Sequence, residues 1–330
     1  MTDEIHLEVA GEPVRVTHPD KVLFPEQGWT KHDVIEHYLA CGDGALRAVV
    51  GRPCQLKRWP RGVGEDPFYL RRTKPRAGIE TVRVRFASAQ PGPMWVPRTP
   101  ADIVRMVQLN AIDLHPWPVR AEDTDHPDEL RLDLDPTPGH GFDEVRSVAA
   151  TVREILDEDG LHGFPKTSGS TGIHVYVRIE PRWTFHEVRR AALAIAREAE
   201  RRNPVATSKW WKEQRDGVFI DFNQTARDKT VASAYSVRQT GFVSAPFTWD
   251  ELDAVAIEDF PMDRFPERYR EVGDLYAPLD DHHHDLGRTL ERVLADEERG
   301  LGDAPWPPHY PKQPGEPPRV NPSRAREPQD

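Results

Sequence analysis

Cysteine is scarce in this chain, with only Cys41 and Cys54 among 330 residues. Two thiols cannot build the disulfide framework of a small secreted domain, so we expect reduced thiols in an oxidant-poor compartment. Long apolar runs are also missing, since no stretch approaches the ~18 residues that a membrane-spanning helix needs. The acidic start MTDEIHLEVAGE lacks the basic and apolar regions of a signal peptide. These absences predict a soluble cytoplasmic protein with no membrane partner.

An excess of positive charge is missing as well. The 44 basic residues are outnumbered by 55 acidic residues, which gives a formal net charge of −11. This balance argues against a generic basic nucleic-acid binder, although a local basic groove can still act on an acidic protein.

Hydrophobic periodicity predicts two parts of different character. Residues 1–120 form a mixed part with a hairpin in IHLEVAGEPVRVT, strands in PCQLKRWP and TVRVRFA, and helices beginning at Thr30 and Thr99. Residues 121–301 follow the order β-α-β-α-β, which predicts a sheet with helices packed on it. From residue 302 to 330 the proline-rich sequence predicts an extended strap or tail.

Two aspartates interrupt the apolar run LRLDLDP. In a strand, Leu132 and Leu134 point to the core, whereas Asp133 and Asp135 share the opposite face. Two carboxylates so close are costly to ionise unless a cation lies between them. A third strand-borne acid, Asp221, occurs in VFIDFNQ. Carboxylates on adjacent strands suit Mg²⁺ or Mn²⁺, and a pair of such ions is the usual device for in-line phosphoryl transfer.

A stretch of small residues, KTSGSTGIHVYV, lies between these acids. Residues 168–172 would let backbone N–H groups approach a phosphate closely, and His174 opens the following strand. Farther along, Lys229 and Arg238 provide cations for the outer phosphates.

Each feature alone has a plainer interpretation. An isolated D-x-D also occurs on solvent-facing strands and in nucleotide-sugar glycosyltransferases, SGSTG alone is more often a turn, and a lone histidine is more often structural. The conjunction of acid pair, glycine loop and third acid, in that order, favours a metal–nucleotide site.

The sequence resembles the polymerase domain of bacterial ligase D, a member of the archaeo-eukaryotic primase superfamily that serves non-homologous end joining. DLDP, TSGSTGIHVYV and FIDFNQ match the three superfamily motifs in order, and the likeness extends to THPDKVLFP, LKRWPRGV, IDLHPWP, ASAYSVR and YPKQPGEPPRVNPSRAR. The resemblance implies an α+β primase-polymerase fold over residues 1–301. A β-rich N-terminal module would pack on a ferredoxin- or RRM-like C-terminal module, with the active site in the cleft. A metal-dependent nuclease and a non-catalytic DNA-end-bridging module on the same fold stay open as alternatives.

The implied activity is template-dependent nucleotidyl transfer that fills gaps and extends 3′ ends at DNA breaks, often with ribonucleotides. A primer 3′-hydroxyl would attack the α-phosphate of a nucleoside triphosphate, assisted by two Mn²⁺ or Mg²⁺ ions. The resemblance also implies gapped or broken DNA as partner, Ku and a separate DNA ligase in the pathway, and a nucleoid-associated monomer. No ligase adenylation motif and no nuclease domain are recognisable, so a stand-alone enzyme and an excised domain both stay open.

The resemblance assigns roles to residues of this chain. The metals would be bound by Asp133, Asp135 and Asp221. The nucleotide would be bound by Lys57, Ser168, His174, Gln224 and Arg238, together with Lys229.

Other residues would contact DNA. Phe68 and Tyr69 resemble the aromatic pair that stacks on template bases, worth roughly 1–3 kcal/mol per base, and His115 would lie near the template unless it is a core histidine. Lys21 and Lys31 match lysines that hold a downstream 5′-phosphate, although an isolated lysine is usually a solvated surface charge. Such a point-charge site should weaken with salt.

Two positions depart from the family pattern. Many relatives carry a lysine where this chain has Thr171, so nucleotide affinity is expected to fall or to depend more on Lys57, Lys229 and Arg238. The asparagine usual in TNPDK is here His18, which leaves the detail of the 5′-phosphate pocket open.

Overall fold

The computed structural model of the chain describes residues 3–87, 91–307, 310–313 and 316–319. Among these residues, no helix is both long and apolar enough to cross a lipid bilayer. The N-terminal part contains, in chain order, β1 (Glu4–Val9), β2 (Glu12–Thr17), β3 (Val22–Phe24), β4 (Trp29–Thr30), α1 (Lys31–Ala40), α2 (Gly42–Arg47), β5 (Cys54–Arg58), β6 (Phe68–Leu70), β7 (Thr81–Val84), β8 (Gly92–Trp95), α3 (Pro100–Gln108) and β9 (Ala111–Pro116).

Local sequence signals account for the first elements, and the predicted hairpin and both predicted helices are confirmed. β1 and β2 pair antiparallel around a turn at residues 10–11. α1 begins with a capping box, in which the Thr30 hydroxyl accepts from the Asp33 amide and the Asp33 carboxylate accepts from the Thr30 amide. In α3, Pro100 occupies the first helical position, where a missing N–H costs nothing.

β5 is the centre of the N-terminal sheet. It pairs antiparallel with β6 and with β9, while β8 joins it at Cys54 and continues to β7. The register sets Lys57 opposite both Tyr69 of β6 and Asp113 of β9. The sheet therefore brings a cation, an aromatic ring and a buried acid into one row.

The C-terminal part contains a second sheet. Its elements are β10 (Glu129–Pro136), α4 (Phe142–Glu158), β11 (Phe164–Thr167), β12 (Ile173–Arg178), α5 (Phe185–Arg202), β13 (Ala206–Thr207) and β14 (Val218–Asp221), followed by α6 (Phe265–Val272) and α7 (Gly287–Glu298). The strand order is β11-β12-β10-β14-β13. Without the two-residue β13, this is the β-α-β-β-α-β arrangement of ferredoxin-like folds.

The expected order β-α-β-α-β was incomplete because it omitted β11. This strand has only four residues and includes Pro165, which weakens any sequence signal for a strand. Its position at the sheet edge explains why the proline is tolerated there. The α+β class itself is confirmed.

Apolar stripes determine which way β10 faces. Val145, Val148 and Val152 of α4 are fully buried, as are Leu132 and Leu134 of β10, and all belong to one core cluster. Since side chains alternate along a strand, burial of these leucines turns the two neighbouring aspartates to the other face of the sheet.

Residues 302–307, 310–313 and 316–319 form neither helix nor strand. Ala304 and Trp306 are nevertheless buried against the body of the protein. The domain limits 1–301 and 302–330 stay a prediction, and residues 320–330 lie outside the described part of the chain.

A buried ion cluster joins the two sheets. Arg52, which precedes β5 and is fully buried, donates to Asp128 at 2.6 Å and to Glu129 at 2.6 Å. Arg178 of β12 donates to Asp128 at 2.7 Å. Burial alone would raise the pKa of Glu129, but Arg52 and Arg131 lower it to about 2. Arg52 and Arg178 also lower the pKa of Asp128 against the effect of burial, so both acids are held ionised at neutral pH.

Arg52→Met should destabilise the protein strongly, because it leaves two buried carboxylates with fewer cations. Breaking a buried pair typically costs about 3–5 kcal/mol of unfolding free energy, measurable by urea denaturation. Arg15→Met is the control, since Arg15 forms an exposed pair with Glu4 and should change that free energy by less than about 1 kcal/mol. Equal losses in the two variants would contradict the structural role of the cluster.

Candidate active site

The strand register brings the three predicted acids to one face of the second sheet. Asp133 of β10 pairs with Asp221 of β14 on one side and with His174 of β12 on the other. Asp135 lies two residues farther along β10, on the same face as Asp133. Asp133 is thus the centre of the group.

A glutamine amide connects two of the acids. Gln224 Nε2 donates to Asp133 Oδ2 at 3.2 Å and to Asp221 Oδ2 at 3.1 Å. Asp221 also caps the 3-10 turn Phe222–Thr225, with its Oδ1 accepting from the Asn223 amide at 2.9 Å. The Asp221 carboxylate therefore faces Asp133 rather than pointing away from it.

The pKa values of Asp133 and Asp135 show that nearby cations do not compensate the negative charge of these two acids. Burial, together with the charge of Asp221, raises the pKa of Asp133 to about 7. The charge of Asp133, together with burial, raises the pKa of Asp135 to about 8. Arg238 opposes both shifts without cancelling them. A cation between the carboxylates would remove this cost.

The donor set fits a hard divalent ion. In the described ranges, no group of three or more histidine, cysteine, aspartate or glutamate side chains is arranged to hold a metal ion by itself. Mg²⁺, however, usually binds one or two carboxylates and completes its shell with waters and substrate phosphates. Asp133 Oδ1 is buried and has no partner in good hydrogen-bond geometry, although His174 Nε2 lies 3.1 Å from it. The residues that could hold such an ion are Asp133, Asp135 and Asp221.

The loop between β11 and β12 lies directly against β10. Ser168 Oγ accepts from the amides of residues 170, 171 and 172 at 3.1, 3.1 and 2.9 Å. A Cβ atom at Gly172 would overlap with the Leu134 carbonyl oxygen and lie 3.1 Å from Asp135 Oδ1. The glycine thus permits the close approach of this loop to the acids. Thr171 is exposed.

Arg238 connects this loop with the first sheet. Its Nη1 donates to the Ser168 carbonyl at 2.6 Å, and its Nε lies 3.4 Å from Asp113 Oδ2. The same carboxylate lies 3.7 Å from Lys57 Nζ and 3.2 Å from His115 Nε2. Two predicted nucleotide-binding cations and the predicted template histidine thus share one buried acid.

Sequence reasoning missed Asp113, which is fully buried. Burial alone would raise its pKa, but His115, Arg238 and Lys57 lower it. The signal that could have found it is the one that singled out Asp133, namely an aspartate inside an apolar strand, here AIDL.

Lys166 of β11 was also missed. Its Nζ lies 2.6 Å from His174 Nδ1, 2.6 Å from Ser244 Oγ and 2.9 Å from the Ala232 carbonyl. His174 Nε2 is left facing Asp133 Oδ1 at 3.1 Å. Burial lowers the pKa of Lys166 and of His174 well below their ordinary values. A lysine inside the buried strand FPKT was the available signal.

The predicted template aromatics border this site. Phe68 and Tyr69 of β6 are 53% and 46% exposed, unusual for large apolar rings, and Tyr69 pairs with Lys57. Exposed basic residues follow them along the chain: Arg71, Arg72, Lys74, Arg76, Arg83 and Arg85. The acidic chain thus has a stretch rich in exposed basic residues after the rings in sequence. Lys229, by contrast, makes no hydrogen bond or ion pair with the other predicted site residues in the described structure.

The two predicted phosphate-binding lysines lie together in another pocket. Lys21, Lys31 and His18 line a cavity of about 460 Å³. Lys31 is only 3% exposed, so a solvated surface charge is the wrong interpretation for it. Its Nζ donates to the Thr17 carbonyl at 2.7 Å, and burial, with the charge of Lys21, lowers its pKa to about 8. His18 has a backbone φ of 51°, in the left-handed region. Asparagine also tolerates this region, so a histidine in place of the usual asparagine is compatible with the same backbone conformation.

Comparison with known proteins first defines the class. A family model described as "LigD, primase-polymerase domain" matches residues 30–276. The molecule is therefore a nucleotidyltransferase of the primase-polymerase type. The chain belongs to the LigD primase-polymerase domain family.

Individual relatives agree with this assignment. The polymerase domain of Mycobacterium tuberculosis ligase D, solved in complex with DNA, has a TM-score of 0.76 at 30% identity, covering 82% of this chain and 99% of that one. The multifunctional non-homologous end joining protein LigD of Mycolicibacterium smegmatis is 33% identical over 277 residues, 82% of this chain and 36% of its own length. That of Pseudomonas aeruginosa is 30% identical over 296 residues, 88% of this chain and 34% of its own. The chain thus spans about a third of these curated relatives.

The contribution of Asp133 and Asp135 to stability in metal-free buffer should fall as pH rises from about 4 to about 8. The unfolded carboxyls release protons near pH 3.8, whereas folded Asp133 and Asp135 keep theirs until about pH 7 and 8. The unfolded state therefore binds fewer protons across this window, which favours unfolding. Asp135→Asn should raise the thermal midpoint above that of the wild type at pH 8 with EDTA, and the gain should vanish near pH 4.

Asp250→Asn is the control for this measurement, because Asp250 is exposed and distant in sequence from the acids. Its midpoint should follow the wild-type curve at every pH. A midpoint for Asp135→Asn no higher than that of the wild type at pH 8 would contradict the repulsion.

Proposed function

We propose that this chain is a DNA-repair polymerase that fills gaps and extends 3′ ends at DNA breaks in non-homologous end joining, using two Mn²⁺ or Mg²⁺ ions. The observation that carries the proposal is the group of three acids, Asp133, Asp135 and Asp221, on one face of the sheet beside Arg238 and Lys57. The carboxylates suit divalent metal ions, and the cations beside them suit the phosphates of a metal-bound triphosphate.

Individual residues of the chain would have separate roles in nucleotidyl transfer. When bound, the metal ions lower the pKa of the primer 3′-hydroxyl and neutralise charge on the phosphates. Arg238 and Lys57 bind the outer phosphates, and Lys229 adds a cation farther out. Ser168 still has its hydroxyl proton to donate toward the sugar. The Lys166–His174 contact holds His174 with Nε2 toward the reacting centre.

The surface beside the site supports DNA as the substrate. Phe68 and Tyr69 offer exposed rings on which unpaired template bases stack, a contact that tolerates any sequence. The basic residues between Arg71 and Arg85 would follow the phosphate backbone. The solved relative was in complex with DNA, and the curated relatives are named for non-homologous end joining. His115 contacts Asp113 and would lie near the template, because the proposed template rings border the same site.

The remaining parts of the proposal follow from the family. We include a preference for ribonucleotides, Ku and a DNA ligase as pathway partners, a monomeric state and association with the nucleoid. The limits 1–301 for the polymerase unit and 302–330 for the strap belong to the same proposal.

Primer extension tests the proposed activity. The protein is incubated with a gapped, 5′-phosphorylated duplex, Mn²⁺ and labelled ribo- or deoxyribonucleotides. The wild type should extend the primer, faster with ribonucleotides, and Asp133→Asn and Asp135→Asn should abolish extension while DNA binding persists. Asp250→Asn, with its exposed carboxylate, should extend normally. Primer shortening would instead identify a nuclease, and binding without extension would identify a bridging module.

The pocket around Lys21 and Lys31 predicts dependence on a downstream 5′-phosphate. The wild type should bind a gap bearing a 5′-phosphate more tightly than one bearing a 5′-hydroxyl, and Lys21→Met should remove that difference. Loss of one phosphate contact should also reduce the slope of log Kd against log salt by about 1.

Fluorescence anisotropy at several salt concentrations measures both effects. The control is Arg270→Met, which removes an exposed cation on α6 and should retain the preference for the 5′-phosphate. An unchanged preference in Lys21→Met would assign the pocket another role.

A further inference from the structure

Arg189 of α5 is a fully buried arginine outside the set of predicted site residues. On one side it contacts the strap: Nη1 donates to Asp303 Oδ1 at 2.7 Å, and Nη2 donates to the carbonyls of Ala304 and Pro305 at 3.3 and 2.8 Å. Its guanidinium carbon lies 4.2 Å from the centre of the Trp306 ring. The strap thus supplies three acceptors and one aromatic face to a single cation.

On its other side Arg189 contacts the turn that follows β14. Its Nε donates to Asn223 Oδ1 at 2.9 Å, and its guanidinium carbon lies 5.1 Å from the centre of the Phe222 ring. Asn223 Nδ2 then donates to Asp221 Oδ1 at 3.1 Å. One side-chain path therefore runs from the strap to an acid of the active site.

The chemistry of this path permits only one orientation of the amide. Arginine can only donate and an ionised carboxylate can only accept, so Asn223 must turn its oxygen to Arg189 and its nitrogen to Asp221. With its backbone amide as second donor, Asn223 satisfies Asp221 Oδ1 twice. The Asp221 Oδ2 atom is thereby directed toward Asp133.

The strap is itself anchored at this point. Trp306 Nε1 donates to Asp303 Oδ2 at 3.0 Å, and its backbone amide donates to Glu316 Oε1 at 2.8 Å. The His186 ring stacks on Trp306 with 5.8 Å between centroids. Asp303 therefore cannot move without disturbing several contacts.

We infer that residues 303–306 of the strap position Asp221 for metal binding, through Arg189 and Asn223. The inference rests on the proposed function, because it gives these residues a role only if Asp221 binds metal. Arg189 and Asn223 are positioning residues: they touch neither nucleotide nor metal and act by holding one carboxylate. Removal of such an outer contact typically costs 10- to 100-fold in metal affinity.

Mn²⁺ binding to the full chain, followed by electron paramagnetic resonance of free Mn²⁺, tests this inference. Asn223→Ala and Arg189→Met should each raise the Mn²⁺ dissociation constant about 10- to 100-fold. Because both lie on one path, the double variant should bind no more weakly than the weaker single variant. Primer extension should fall in parallel and recover in part with excess Mn²⁺.

Arg197→Met is the matched control. Arg197 is also on α5 and anchors the same segment, since it donates to the Gly302 carbonyl at 2.6 Å and pairs with Asp296 at 3.5 Å, but it has no contact with Asn223. This variant should lower the thermal midpoint and leave Mn²⁺ affinity unchanged. Asn223→Ala leaves Arg189 and the strap in place, so it carries the test if Arg189→Met does not fold.

Two results would overturn the inference alone and leave the proposed function in place. Wild-type Mn²⁺ affinity in folded Asn223→Ala would show that the path has no effect on Asp221. Equal weakening in Arg189→Met and Arg197→Met would show a general loss of structure. A wild type that neither binds Mn²⁺ nor extends primers would overturn the proposed function instead, and the inference with it.

Discussion

Repulsion among three carboxylates on one sheet face is the constraint around which this molecule is arranged. The core takes the leucines of β10, so Asp133 and Asp135 must share the other face, and β14 adds Asp221 beside them. Burial increases the cost of ionising the group. Neighbouring polar groups reduce that cost in part. The Gln224 amide donates to two of the acids, His174 is held beside Asp133 by the buried Lys166, and Arg238 comes from a distant segment of the chain.

The same arginine ties the two sheets into one site. Arg238 reaches the loop before β12 with one nitrogen and approaches Asp113 of the first sheet with another. Asp113 also contacts Lys57 and His115. One buried acid thus holds three basic groups near the three aspartates, and the exposed rings of β6 lie next along the sheet. An acidic protein can in this way present a local surface for an anionic ligand.

Local patterns predicted much of the fold and the centre of the site. The hairpin, the capped helices, the strand at β10 and the stripe of α4 all follow from periods of two and 3.6 residues. They failed at β11, where Pro165 and a length of four residues hide the strand. Asp113 and Lys166 were missed for another reason. Each is a single charged residue in a short apolar strand, and its importance depends on partners far away in the chain.

By itself, the sequence determined which residues of each strand face the core and the order of the acid, glycine-loop and acid motifs. Alternation and capping depend on near neighbours, so they can be recognised in the chain itself. Only the tertiary structure decided that Asp133 pairs with Asp221, that Lys31 is buried, and that Arg189 connects the strap with Asn223. These contacts depend on strand register and helix packing between distant segments, which no local pattern encodes.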